Sequence, residues 1–98
     1  MRTICTILTA LPLLASSVAF GADAPPPGAA ACSGCHPATR SAETAVPRLV
    51  GREAAQLVSA MAAFRSGQRP STVMDRIAKG FTDDEVRAIA TWYAGQKD

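Results

Sequence analysis

Cys32-Ser33-Gly34-Cys35-His36 is the stretch from which the rest of this chain can be read. Two cysteines three positions apart can reach the two vinyl groups of one porphyrin as thioethers. The histidine directly after the second cysteine can then turn under the ring and ligate the iron. CxxCH is accordingly the attachment signal of a c-type haem. CxxC alone has rival meanings. A redox disulfide would need a strand before the motif and a βαβ context, and no segment here alternates like a strand. A structural zinc site needs four ligands. The chain has three cysteines and one histidine, and Cys5 lies in the leader described below. A carboxylate would therefore have to complete such a site.

The surroundings of the motif suit a covalent cofactor. Met1-Arg2-Thr3 is basic, Ile4 to Leu14 is a mostly apolar run, and Ala15-Ser16-Ser17-Val18-Ala19 is a run of small residues. That order is the order of a secretory signal peptide, and the apolar run is too short to span a bilayer. The expectation is a leader over 1–21, cleaved near 19–22: after Ala19, or after Gly21, with Ala22 less favoured because Phe20 would stand at −3. A Pro-rich linker is expected over 22–28, with Pro25-Pro26-Pro27 unable to sit inside a helix, and one domain over 29–98. The protein would then be exported to the periplasm, with no membrane anchor left in the mature chain. Fewer than eighty mature residues make a hydrophobic core of marginal size, which a haem would enlarge.

Charge excludes a class of partner. The whole chain carries ten basic and eight acidic side chains, a formal net charge of +2. Without Arg2, and with two haem propionates, the balance is about −1. Neither sign dominates, so nucleic acid is not an expected partner. A docking patch must come from local arrangement.

Ala29-Ala30-Ala31 leads into the motif, so a short helix is expected to carry Cys32 and Cys35. Pro37 to Pro47 reads as a loop. From Arg52 the pattern is helical: Leu57, Met61 and Phe64 recur at i, i+4 and i+7. Gly67 suits the left-handed position that ends a helix, and Pro70 prevents its resumption. Ser71 to Gly80 reads as a turn segment with room for one short helical piece. Thr82-Asp83-Asp84-Glu85 is a capping box with acids in the first turn. It opens a last helix whose buried stripe is Val86, Ile89, Ala90 and Tyr93 and whose end is Gly95. The fold class expected is all-α, three to five short helices around one covalently attached haem.

His36 is the only histidine, so bis-histidine ligation within one chain is impossible. With Met1 in the leader, the methionines left are Met61 and Met74. Met61 sits on the Leu57/Phe64 face, where a packing role fits best. Met74 lies in a segment without strong periodicity, beside Ser71, Thr72 and Asp75, and is the candidate axial ligand. His/Met ligation favours ferrous iron and suits an electron carrier. A haem-based sensor or a peroxidase would instead need an open or labile sixth position. Pro47 comes eleven residues after His36, and its carbonyl has no helical duty. It can accept the second ring N–H of a ligating imidazole, or Pro47 can simply stiffen the loop. Leu49 and Val50 would pack near the ring. Arg48 and Arg76 are candidates for the propionates, and Arg65, Arg69 and Lys79 for a docking rim, if they are not simply solvated charges. Trp92 and Tyr93 read as packing residues against the N-terminal helix.

These residues together resemble a small class I c-type cytochrome: the CxxCH near the mature N-terminus, Pro47-x-Leu49-x-Gly51, a late methionine and a final amphipathic helix. The resemblance covers 29–96. A narrower similarity runs through Met61-Ala62-Ala63-Phe64-Arg65-Ser66-Gly67 and, more specifically, Ser71 to Phe81. It is to the cytochrome subunits of flavocytochrome c, the periplasmic sulfide dehydrogenases. The resemblance implies Cys32 and Cys35 as haem attachments, His36 as proximal ligand and Met74 as distal ligand. It implies an FAD-binding flavoprotein subunit as partner, which oxidises sulfide and passes electrons singly to the haem, and a soluble acceptor such as another cytochrome beyond it. Pro37 stands where that family usually has glycine, and the loop to Val46 lacks the usual glycines. Some members carry two haem domains, whereas one CxxCH here implies one haem. A free soluble cytochrome serving an oxidase, reductase or reaction centre shares the same fold and is the alternative reading.

Overall fold

Four helices and no strands are present among the described residues of the computed structural model, which are 24–39 and 44–97. The expected leader over 1–21 lies outside them. The helices are α1 (Ala29–Cys32), α2 (Ala54–Ser66), α3 (Met74–Ala78) and α4 (Asp83–Gly95). Their number and class agree with the all-α expectation. None of them is long and apolar enough to cross a membrane.

The two long helices begin and end for local reasons. α4 is entered through the full capping box: Thr82 Oγ1 accepts the Glu85 backbone N–H at 3.2 Å, and the Glu85 carboxylate accepts the Thr82 N–H at 2.8 Å. Two of the helix's orphan donors are thereby satisfied. Its expected stripe is buried in full at Val86, Ile89, Ala90 and Tyr93. α2 starts two residues later than the periodicity suggests, after Glu53, whose carbonyl accepts from Gln56 and Leu57. It ends at Gly67, which takes φ 78° and donates to the Phe64 carbonyl.

α1 is shorter than expected. The helix stops at Cys32, and Cys35 lies beyond it in a tight turn. Gly34 donates to the Ala31 carbonyl, while Cys35 and His36 both donate to the Cys32 carbonyl. Ser33-Gly34 is a weak helix-forming pair, so one turn of alanines is not extended through it.

The core is where α1, α2 and α4 meet: Ala29, Leu57, Ile89, Ala90 and Tyr93, with Leu49, Val50, Val58, Phe81 and Trp92 packed around them. Gly28 admits this packing. It has φ 87°, and a Cβ there would stand 2.7 Å from the Phe81 ring. α3 is held at its far end by Arg65 of α2. The guanidinium donates to the carbonyls of Ala78 (3.3 Å) and Phe81 (2.7 Å) and to the Asp83 carboxylate (2.5 Å). Arg65 is thus a clasp between α2, the end of α3 and the start of α4.

Two outcomes follow from these contacts. Gly28→Ala should destabilise the haem-loaded protein by about 1–3 kcal/mol in denaturant titrations, whereas Gly95→Ala, in open helical space, should not. The Arg65 guanidinium hydrogen-bonds Asp83 and attracts its charge, holding that carboxyl below the usual range. A depressed carboxyl stabilises the fold above its unfolded value of about 3.9, and this is lost as pH falls toward the folded value. Melting curves at pH 6 should therefore favour the parent over Asp83→Asn, and the gap should close in strong acid.

Candidate functional site: the CxxCH turn and its frame

The turn after α1 brings Cys32, Cys35 and His36 onto one short arc of chain. Cys32 and Cys35 are not bridged to each other. Burial pushes the Cys32 thiol up, against a smaller opposing effect of a backbone hydrogen bond, and Cys32 Sγ lies 3.8 Å from the Gly28 carbonyl. Cys35 is exposed. Among the described residues no three His, Cys, Asp or Glu side chains converge as metal ligands.

His36 is half-buried, and its ring is oriented by a single strong contact. Nδ1 lies 2.5 Å from the Pro47 carbonyl oxygen. A carbonyl can only accept, so Nδ1 carries the proton and donates it. In the neutral imidazole this leaves Nε2 unprotonated, its lone pair available to a metal. The span of eleven residues between donor and acceptor is the spacing from which this bond was expected. Loop residue Arg48 also has a duty inside the fold: its Nε donates to the Ala38 carbonyl at 3.1 Å. It braces the loop it belongs to, so a propionate is not the sole role open to it.

Leu49 and Val50 pack on the core cluster beside this loop. Met74 is the first residue of α3 and is half-buried. Ser71 precedes it by one turn, accepting the Asp75 N–H at 2.9 Å and donating to the Asp75 carboxylate. It satisfies one of the N–H groups that the first turn of α3 leaves without an intrahelical partner. The large apolar side chains most open to solvent among the described residues are Val73, 49% exposed, and Ile77, 38% exposed, before and after Met74. Apolar surface of this kind is what a porphyrin face covers. The paired cysteines and the oriented imidazole on one arc of chain have the chemistry that attachment of a c-type haem requires.

Sequence reasoning missed Ser33. Its hydroxyl lies 2.9 Å from the Tyr93 hydroxyl, which itself lies 2.6 Å from the Ala29 carbonyl. A serine between two cysteines carries no sign of a partner sixty residues away.

Known proteins bear on the same assignment. No protein-family model matches the chain. It is 36% identical over 62 residues to the cytochrome subunit of sulfide dehydrogenase of Chlorobaculum tepidum, covering 63% of this chain and 56% of that protein. A thiosulfate dehydrogenase electron acceptor of Thiomonas intermedia is 34% identical over 99 residues, 99% of this chain and 45% of that protein. Cytochrome c-554(548) of Halomonas halodenitrificans is 31% identical over 70 residues, 67% of this chain and 84% of that protein. The chain belongs to the small c-type cytochromes. A c-type haem and a part in electron transfer come with that membership. This cytochrome spans about half the length, or less, of its sulfide and thiosulfate dehydrogenase relatives.

Proposed function

We propose that this chain is a periplasmic monohaem electron carrier whose haem is bound through Cys32 and Cys35 and ligated by His36 and Met74. It would accept electrons from an FAD-containing sulfide dehydrogenase subunit. The observation that carries the ligation is the His36–Pro47 hydrogen bond, which leaves one ring nitrogen free for iron and strengthens it as a donor. When bound, the haem supplies a one-electron couple. The chain contributes what tunes and shields it: the imidazole held by Pro47, the thioether of Met74, and apolar cover from Leu49 and the α3 side chains. These groups make and break no substrate bond, and their chemistry is the setting of a potential.

Support for the donor comes from the relative named as the cytochrome subunit of sulfide dehydrogenase, and more broadly from those named as electron acceptors of thiosulfate dehydrogenase. The alternative is a free soluble cytochrome. It is favoured by the third kind of relative, cytochrome c-554(548), a protein of which this chain covers 84%.

Two experiments separate these statements. Met74→Ala should abolish the long-wavelength charge-transfer band of methionine-ligated ferric haem, and Met61→Ala should keep it. Retention of the band in Met74→Ala would sink the ligand assignment. For the donor, the mature haem-loaded chain is co-expressed with an FAD-binding, disulfide-reductase-like protein from an adjacent reading frame. A one-to-one complex whose haem is reduced on adding sulfide supports the subunit reading. A haem that stays oxidised, in a chain that elutes alone, supports the free carrier.

A further inference from the structure

Tyr93 touches both segments that determine where His36 stands. Its hydroxyl has one proton, and the 2.6 Å contact with the Ala29 carbonyl takes it. The Tyr93 oxygen must then accept at its other contact, so Ser33 donates to it at 2.9 Å. Ala29 opens α1, and Ser33 lies within the CxxCH turn, three residues before His36. Through its side chain, Tyr93 is therefore bonded to the segment that carries the imidazole.

The backbone of the same residue is bonded to the other segment. The Tyr93 carbonyl accepts the Gly51 N–H at 3.0 Å, as well as the Gln96 N–H at 3.1 Å. Gly51 closes the Pro47–Gly51 stretch with φ 75°, and Arg52 donates back to the Leu49 carbonyl at 3.2 Å. Pro47 in that stretch accepts the His36 ring proton. One residue near the end of α4 is thus bonded both to the segment that carries the donor of the His36–Pro47 bond and to the one that carries its acceptor.

Tyr93 is itself buried, so its hydroxyl bond to Ala29 is shielded from competition by water, while the bond from Ser33 is part-buried.

We infer that Tyr93 is a positioning residue for the haem ligand: by bonding the CxxCH turn through its hydroxyl and the Pro47–Gly51 loop through its carbonyl, it holds the His36–Pro47 hydrogen bond closed and so sets the donor strength of the imidazole. This rests on His36 being an iron ligand. A closed Nδ1–H···O=C bond makes the imidazole the stronger donor and stabilises ferric iron. Loosening the frame leaves the haem easier to reduce.

The test uses the haem-loaded mature protein and two variants, Tyr93→Phe and Ser33→Ala. The first removes both hydroxyl bonds and keeps the ring. The second removes the Ser33 bond and leaves Tyr93 on Ala29. Solvent exchange of the His36 Nδ1 proton, followed by NMR, should accelerate about fivefold in Tyr93→Phe, the equivalent of one lost hydrogen bond. The equilibrium of the haem with a redox dye should move toward reduced haem. Ser33→Ala should move both readings the same way by less, and it serves alone if Tyr93→Phe does not fold. A fall in melting temperature with exchange and dye equilibrium unchanged would overturn the inference and leave Tyr93 a packing residue. A parent protein without the low-spin spectrum of histidine-ligated haem would overturn the ligand reading and this inference with it.

Discussion

One imidazole proton, given by His36 to the Pro47 carbonyl, is the constraint to which the rest of the site is fitted. It selects the tautomer and leaves Nε2 for iron. It also joins the CxxCH turn to a loop that has no helical bonds of its own to hold it. That loop is braced by Arg48 on Ala38, by Leu49 and Val50 on the core, and by Gly51 on the Tyr93 carbonyl. Each brace is weak alone, since a net hydrogen bond contributes about 1 kcal/mol. Together they hold the loop against the CxxCH turn, where Pro47 meets His36.

Much of the fold was legible because its signals are local. The capping box at Thr82, the stripe of Val86, Ile89, Ala90 and Tyr93, and the stop at Gly67 are each written within a few residues and formed as expected. The His36–Pro47 pairing was legible for a different reason. A ligating histidine needs an acceptor for its other nitrogen, and a proline carbonyl at loop distance offers one. The end of α1 was misjudged because three alanines favour a helix more strongly than Ser33-Gly34 visibly opposes it.

What could not be read, the His36–Pro47 pairing aside, is the set of contacts between a side chain and a distant backbone oxygen. Arg65 looked like any exposed cation on a helix, yet it reaches carbonyls thirteen and sixteen residues on. Tyr93 was expected to pack on the N-terminal helix and does, but its hydroxyl bond to Ala29 spans sixty-four residues. A backbone acceptor has no residue identity, and unlike a ligating histidine neither an arginine nor a tyrosine announces a need for one. These long-range contacts are also the ones that tie α3 and the CxxCH turn to the two long helices.

The Arg65 clasp has a consequence for how such a protein can change. Two of its three acceptors are main-chain oxygens, so it reads the path of the chain after Met74 and not the side chains along it. The exposed side chain of Lys79, between the two gripped carbonyls, can be exchanged without altering the grip. Surface chemistry beside the Met74 helix is thereby uncoupled from the scaffold that carries it. Relatives of this chain could drift toward new redox partners while the geometry of α3 is inherited unaltered.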